Sequence, residues 1–311
     1  MALASPSPDL GIARRRSRPG ERAIIGGLLL CAALSVLVTV GIIAVLAEET
    51  VRFFAKIPLA DFLTGTRWAP GRGDGGEYGV LPLLNGSLMI ALGSLLVGLP
   101  LGLATAIYLS EYARPRVRAV IKPVLEVLAG IPTVVVGFFA LNFVTPTLLR
   151  PVFGDDRVFI FNAAAGAVAV GLMILPVIAS ISEDAMRAVP NSLREAAFGM
   201  GASKRVVALR VVVPAALSGI AASVILGVSR AVGETMAVTI AAGNTPRLTT
   251  DFFSSIQTLT ASIAQTVGGE AAAGSTRYQS LFAVGSTLFL ITLAMNVLSM
   301  RLVRRFRQTY Q

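Results

Sequence analysis

The sequence predicts an all-α membrane protein with six transmembrane helices, and three observations carry that expectation. Of 311 residues, 54% are hydrophobic and only 14% charged, with a mean hydropathy of +0.75, which is too apolar for an ordinary soluble domain. Six nearly uncharged stretches each reach the ~20 residues that cross a bilayer core as a helix. The net charge of +10 would suggest nucleic acid in a soluble protein, but 18 of the 27 basic residues fall in the two terminal segments and alternate connections, as the positive-inside bias requires. Lipid is therefore the expected surrounding, with no nucleic-acid partner, and both termini are expected on the cytoplasmic side.

In chain order, residues 1–22 are rich in Pro, Ser and Arg and read as a mobile basic segment, with Arg14, Arg15, Arg16 and Arg18 near anionic headgroups. The apolar run at 23–47 exceeds the 7 to 15 residues of a signal-peptide core, so it reads as a retained first span. It holds Cys31, the single cysteine, so no disulfide framework exists. The connection 48–81 carries Pro58, Pro70 and the run GRGDGGEYG, and reads as irregular structure, either a solvated connector or a contact surface for an external protein. Further spans are expected at 83–109, 127–149, 158–181, 211–242 and 278–300. Between the last two, the patch SSIQTLTASIAQTV at 254–267 is expected to form a helix lying at the outer surface. The spans make one permease domain over 23–303, followed by a cytoplasmic tail at 304–311, and no internal repeat is visible.

With no histidine and one cysteine, His-based triads and His or multi-Cys metal sites are excluded, and no enzymatic chemistry is expected. The polar segment 194–214, REAAFGMGASKRVVALRVVVP, is built as a helix, a break and a second helix. Gly199 and Gly201 weaken the first helix, and residues 204–213 resume it before Pro214. Its spacing resembles the EAA loop of ATP-binding-cassette (ABC) importer permeases, with Glu195, Ala196, Ala197, Gly201, Val211, Val213 and Pro214 in register. The family more often has Ile and Leu where Val211 and Val213 stand. The resemblance implies a type I ABC importer permease fold, with a coupling loop over 183–213 that docks on a cytoplasmic ATPase. No stretch fits G-x-x-x-x-G-K-[ST], and GMGASK at 199–204 has the wrong spacing. ATP is therefore expected on partner subunits, and no cofactor in this chain.

Inside the fifth span, Arg230 and Glu234 stand four apart, which on a continuous helix puts them on one face. A lone charge near the bilayer centre costs roughly 2.5 to 3.5 kcal/mol, so such residues face a partner or a water-filled path. Two readings stand: path-lining groups that meet an anion, or a self-neutralised structural pair. Gly219, Ser223 and Gly227 continue that face as a stripe of small residues for close helix packing. Glu126, at the edge of the third span, is the one other acid expected beside a span.

Around the pair, RAVGETMAVTIAAGN at 230–244 is similar to the fifth span of the C-type permease subunit of phosphate-specific ABC importers. AIYLSEYARP at 106–115 and GIPTVVVGFFAL at 130–141 agree with it. The resemblance covers most of the chain from the second span onward. It implies passage of phosphate past Arg230 and Glu234 in the cytoplasmic membrane. It also implies a second homologous permease, two ATP-binding subunits and an extracytoplasmic phosphate-binding protein. The rival expectations are a permease for molybdate, sulfate or phosphonate, and a passive or ion-coupled anion transporter.

Overall fold

The computed structural model describes residues 19–71, 76–269 and 271–306. Most of the basic N-terminal segment, the end of the C-terminal tail and the middle of the GRGDGGEYG run lie outside the described residues. The chain divides into two compact units, Met1–Glu48 and Glu49–Gln311. What is described of the first is the start of helix α1 (Pro19–Phe54). Leu28, Leu30 and Leu37 on it are 65%, 69% and 68% exposed, as suits a span whose side chains face lipid.

The second unit opens with α2 (Leu59–Thr64) and an antiparallel pair, β1 (Trp68–Ala69) and β2 (Glu77–Tyr78). Helices α3 (Leu81–Tyr112), α4 (Pro115–Ala129), α5 (Thr133–Phe153) and α6 (Ala163–Arg187) follow. Next come α7 (Asn191–Gly199), α8 (Lys204–Ala215), α9 (Leu217–Gly233) and α10 (Met236–Ala242). The unit closes with α11 (Leu259–Val267) and α12 (Thr276–Phe306). Helix α6 is the hub, packed against α3, α9, α10 and α4. It meets α3 along a seam without bulk: a Cβ on Gly98 would lie 2.6 Å from Ile174, and one on Gly171 would lie 2.9 Å from Val97. Small residues matter here because lipid offers no hydrophobic drive between helices, so close van der Waals approach must hold them. At the start of α3, Phe53, Phe62, Trp68 and Tyr78 stack edge to face, with Phe53 and Tyr78 centroids 5.5 Å apart.

Among the described residues, five helices are long and apolar enough to cross a membrane, and six spans result if the bent pair α8 and α9 counts as one. Several expected bounds shift, each for a local reason. The third span starts at Thr133 instead of 127, because Gly130, Ile131 and Pro132 break the chain and leave α4 as a separate amphipathic helix. The fourth starts at Ala163 instead of 158, where Asn162 caps it by accepting from the Ala165 N–H at 2.7 Å. The expected single fifth span is in fact three helices: α8 and α9 meet at 72°, and α9 stops at Gly233 before α10 begins. The patch 254–267 is helical only from Leu259, and it is packed inside rather than laid on the surface, with Leu259, Ala261 and Ser262 buried.

Candidate functional site

The break between α9 and α10 changes the relation of the two intramembrane charges. Glu234 leaves the helix with φ −68° and ψ 131°, so Arg230 and Glu234 do not share a helix face, contrary to the expectation from their spacing. Among the described residues they form no ion pair. Instead each sits at a helix end of opposite polarity. Arg230 lies in the last turn of α9, where carbonyls gather, and the Glu234 carboxylate accepts from the Ala237 N–H at 3.1 Å at the start of α10. The Glu234 carbonyl accepts in turn from the Thr260 hydroxyl at 2.8 Å, which ties the break to α11. A weak helix former, Gly233, beside a side chain that can cap explains why the chain breaks here. Both charged side chains are half-buried. An interrupted span that offers charges and free backbone groups at mid-depth is how membrane transporters build passages.

The small-residue stripe faces α6. A Cβ on Gly219 would lie 2.3 Å from that of Ala185, the Ser223 and Ser182 hydroxyls bond at 2.7 Å, and Gly227 lies against Ile178.

The segment that resembles the EAA loop is a helix, a tight turn and a helix. Helix α7 ends at Gly199, Met200 caps it, and Gly201 takes φ +82°, a conformation that favours glycine. Open space surrounds Gly201, so the turn and not crowding selects the residue. Glu195 and Ala196 are exposed, Ala197 is buried, and Phe198 and Met200 present apolar surface at 47% and 84% exposure. Pro214 is exposed, two residues before Ala216, where the 72° bend falls.

Two ion-pair clusters hold this end of the bundle, and sequence reasoning missed both. Arg194 forks onto Glu111 at 2.9 and 3.4 Å, and reaches the carbonyls of Met186 and Val189 at 2.8 and 2.7 Å. It thus joins α7 to the ends of α3 and α6 by charge-assisted bonds. The carboxylate of Glu183 is fully buried and accepts from Arg118 at 2.7 Å and Lys122 at 3.0 Å, which locks α4 onto α6. Lys122 also meets Asp184 at 2.6 Å. Burial lowers the Lys122 pKa, but the hydrogen bonds and charges of Asp184 and Glu183 outweigh it and hold the ammonium above its ordinary 10.5. The expectation that Glu126 is the one other acid beside a span is therefore corrected: Glu126 is exposed, and Glu183 is the buried one. The pairs Glu183/Arg187 and Arg118/Lys122, each at i,i+4, were the available signal.

The model of the family "Binding-protein-dependent transport system inner membrane component" matches residues 98–309. The chain is 36% identical over 276 residues to "Probable ABC transporter permease protein YqgH" of Bacillus subtilis, covering 88% of this chain and 86% of that protein. It is 34% identical over 247 residues to "Phosphate transport system permease protein PstC" of Mesorhizobium japonicum, covering 74% of each. The PstC 1 of Mycobacterium tuberculosis is 31% identical over 280 residues, covering 80% of this chain and 82% of that protein. In fold, the chain resembles a chain of a bacterial alginate ABC transporter, with TM-score 0.66 and 15% identity over 94% of this chain and 98% of that one. It also resembles the MetNI methionine ABC transporter, with TM-score 0.54 and 20% identity over 74% and 94%. This chain belongs to the family of inner membrane components of binding-protein-dependent transport systems.

Proposed function

We propose that the chain is the permease that carries inorganic phosphate in an ATP-driven importer. The observation that carries the reading is the pairing, on one chain, of an exposed helix–turn–helix at 191–215 with a span broken at Arg230 and Glu234. The relatives named as phosphate transport permeases support the choice of anion. In this reading both termini and the 183–213 loop face the cytoplasm, and the chain works beside a second homologous permease. Two ATP-binding subunits, which hold the nucleotide, grip the Glu195, Ala196, Ala197 and Gly201 surface. An extracytoplasmic binding protein delivers phosphate from the other side.

The mechanism is alternating access. Closure of the ATPases on ATP pulls α7. Arg194 passes the pull to α3 and α6, Pro214 and the bend beyond it carry it to α9, and the Gly219, Ser223 and Gly227 seam lets α9 shift against α6. Arg230 meets the anion where water is scarce and its charge counts most, while Glu234 keeps the site from holding the anion too tightly. Selectivity then belongs to the binding protein, since tight internal binding would slow release.

Two measurements test this. In a strain lacking its own importer, labelled phosphate should be taken up and not displaced by excess molybdate, sulfate or phosphonate; displacement by one of them reassigns the anion. Gly201→Asp should release the ATPase from detergent-purified complexes. The space around Gly201 is open and Asp tolerates positive φ, so the fold itself should lose only about 1 kcal/mol. An intact complex with normal coupled hydrolysis would count against docking at this turn.

A further inference from the structure

A polar cavity lies at the other end of α3 from the coupling turn. From Ser87, whose hydroxyl accepts from the Leu259 N–H at 3.0 Å, to Glu111, which holds Arg194, the helix runs 24 residues, or about 36 Å at its standard rise. The cavity, about 240 Å³, is lined by the polar residues Asn244, Gln257, Ser262, Gln265, Thr266 and Arg277 together with Trp68, Pro70 and Pro246. That is below the ~300–1,000 Å³ of a site for a drug-sized ligand, and suits a small ion with a few waters.

Its lining has the chemistry of an anion receptor. Among the described residues, no carboxylate lines it. Arg277 supplies the cation, and its Nε is buried with no hydrogen-bond partner, an unusual state for so strong a donor. The Gln265 carbonyl oxygen is fixed by the Gln257 amide, which turns the Gln265 NH₂ away from that bond. The Thr266 hydroxyl donates to the Ser262 carbonyl and so leaves a lone pair rather than a proton; the donors are Arg277, Gln265, Asn244 and the Ser262 hydroxyl. Helix α11 carries Ser262, Gln265 and Thr266 on this side and, through Thr260, touches the backbone of Glu234 at the break. The cavity is therefore coupled to the broken span by one short rigid helix.

We propose that this cavity is a receiving site for a small tetrahedral oxyanion, held by Arg277 and the Gln265 and Asn244 amides before it moves to the break at Arg230. The assignment of phosphate and of an outward-facing mouth rests on the transport reading above. Trp68 is the one tryptophan of the chain, so it reports occupancy of the cavity it lines.

The test is the full-length chain in phosphatidylcholine vesicles, which lack anionic headgroups, with Trp68 fluorescence titrated by inorganic phosphate, sulfate or chloride at constant ionic strength. A saturable change is expected with phosphate and not with chloride. Arg277→Gln should weaken it about 10- to 100-fold, the loss of one charged hydrogen bond, and Arg277→Lys should restore part of it. If Arg277→Gln fails to fold, Gln265→Ala should still weaken the response several-fold. A response to phosphate no different from that to chloride overturns the proposal, as does a folded Arg277→Gln or Gln265→Ala that titrates like the parent. Saturation by sulfate but not phosphate would keep an oxyanion site and overturn its assignment to phosphate. Failure of the transport reading shows separately, as absent phosphate uptake by the assembled importer while the fluorescence response persists.

Discussion

Arg230→Gln is expected to abolish phosphate uptake while the permease still assembles with its ATPase. The substitution leaves a shorter, neutral side chain that still donates through its amide, and it removes the charge. Arg230 makes no ion pair among the described residues, so no partner is orphaned by its loss. What the fold loses is the attraction of a cation to the C-terminal end of α9, worth about 0.3–1 kcal/mol. On the proposed path, a phosphate anion crossing the same place would lose a full compensating charge where the surroundings screen poorly, and the barrier to its passage would rise by far more. Uptake of labelled phosphate and co-purification of the ATPase, measured on one preparation, separate the two effects. Arg230→Lys should retain a fraction of the uptake, since it keeps the charge without the planar fork. Near-normal uptake by Arg230→Gln would remove Arg230 from the path.

Glu183→Ala should cost about 3 kcal/mol of stability, read as a fall in the thermal transition of the detergent-purified permease. Truncating one partner of a buried ion pair leaves the others uncompensated, at roughly 3–5 kcal/mol. The lower end applies because Arg118 and Lys122 remain 28% and 24% exposed and can turn to water. Glu183→Gln, which keeps an acceptor for Arg118, should lose less. The pH dependence has a definite sign. A lysine whose pKa is raised on folding contributes stability that is complete below the unfolded value and lost as pH rises through the folded one. The Lys122 contribution should therefore be constant at neutral pH and disappear only above about 10.5. No change on Glu183→Ala would mean that α4 is held to α6 by apolar contacts alone.

Five spans, and a sixth if the bent pair α8 and α9 counts as one, were legible because hydropathy needs only a run of apolar residues, and the α7–turn–α8 shape because Gly199 and Gly201 punctuate it. The break at Glu234 was hidden. Hydropathy does not register where an apolar run stops being helical, and four-residue spacing implies a shared face only if the helix continues. Gly233 was the one local warning, since glycine weakens a helix and Glu234 could cap the next one. The Glu183 clamp was beyond reach for a different reason: its partners Arg118 and Lys122 lie 65 and 61 residues away, and only tertiary packing brings them to it. Local signals named the pieces, while tertiary packing decided which charges meet.

In the proposed function, hydrolysis by a partner drives phosphate through this chain. The most direct test is accumulation of labelled phosphate in proteoliposomes that hold both permeases and the ATPase subunits, with binding protein on the delivery side. Accumulation against a gradient should require ATP and stop when the ATPase subunits are left out. Phosphate entry that continues without nucleotide or without the ATPase would contradict the account and make the chain a passive or ion-coupled carrier.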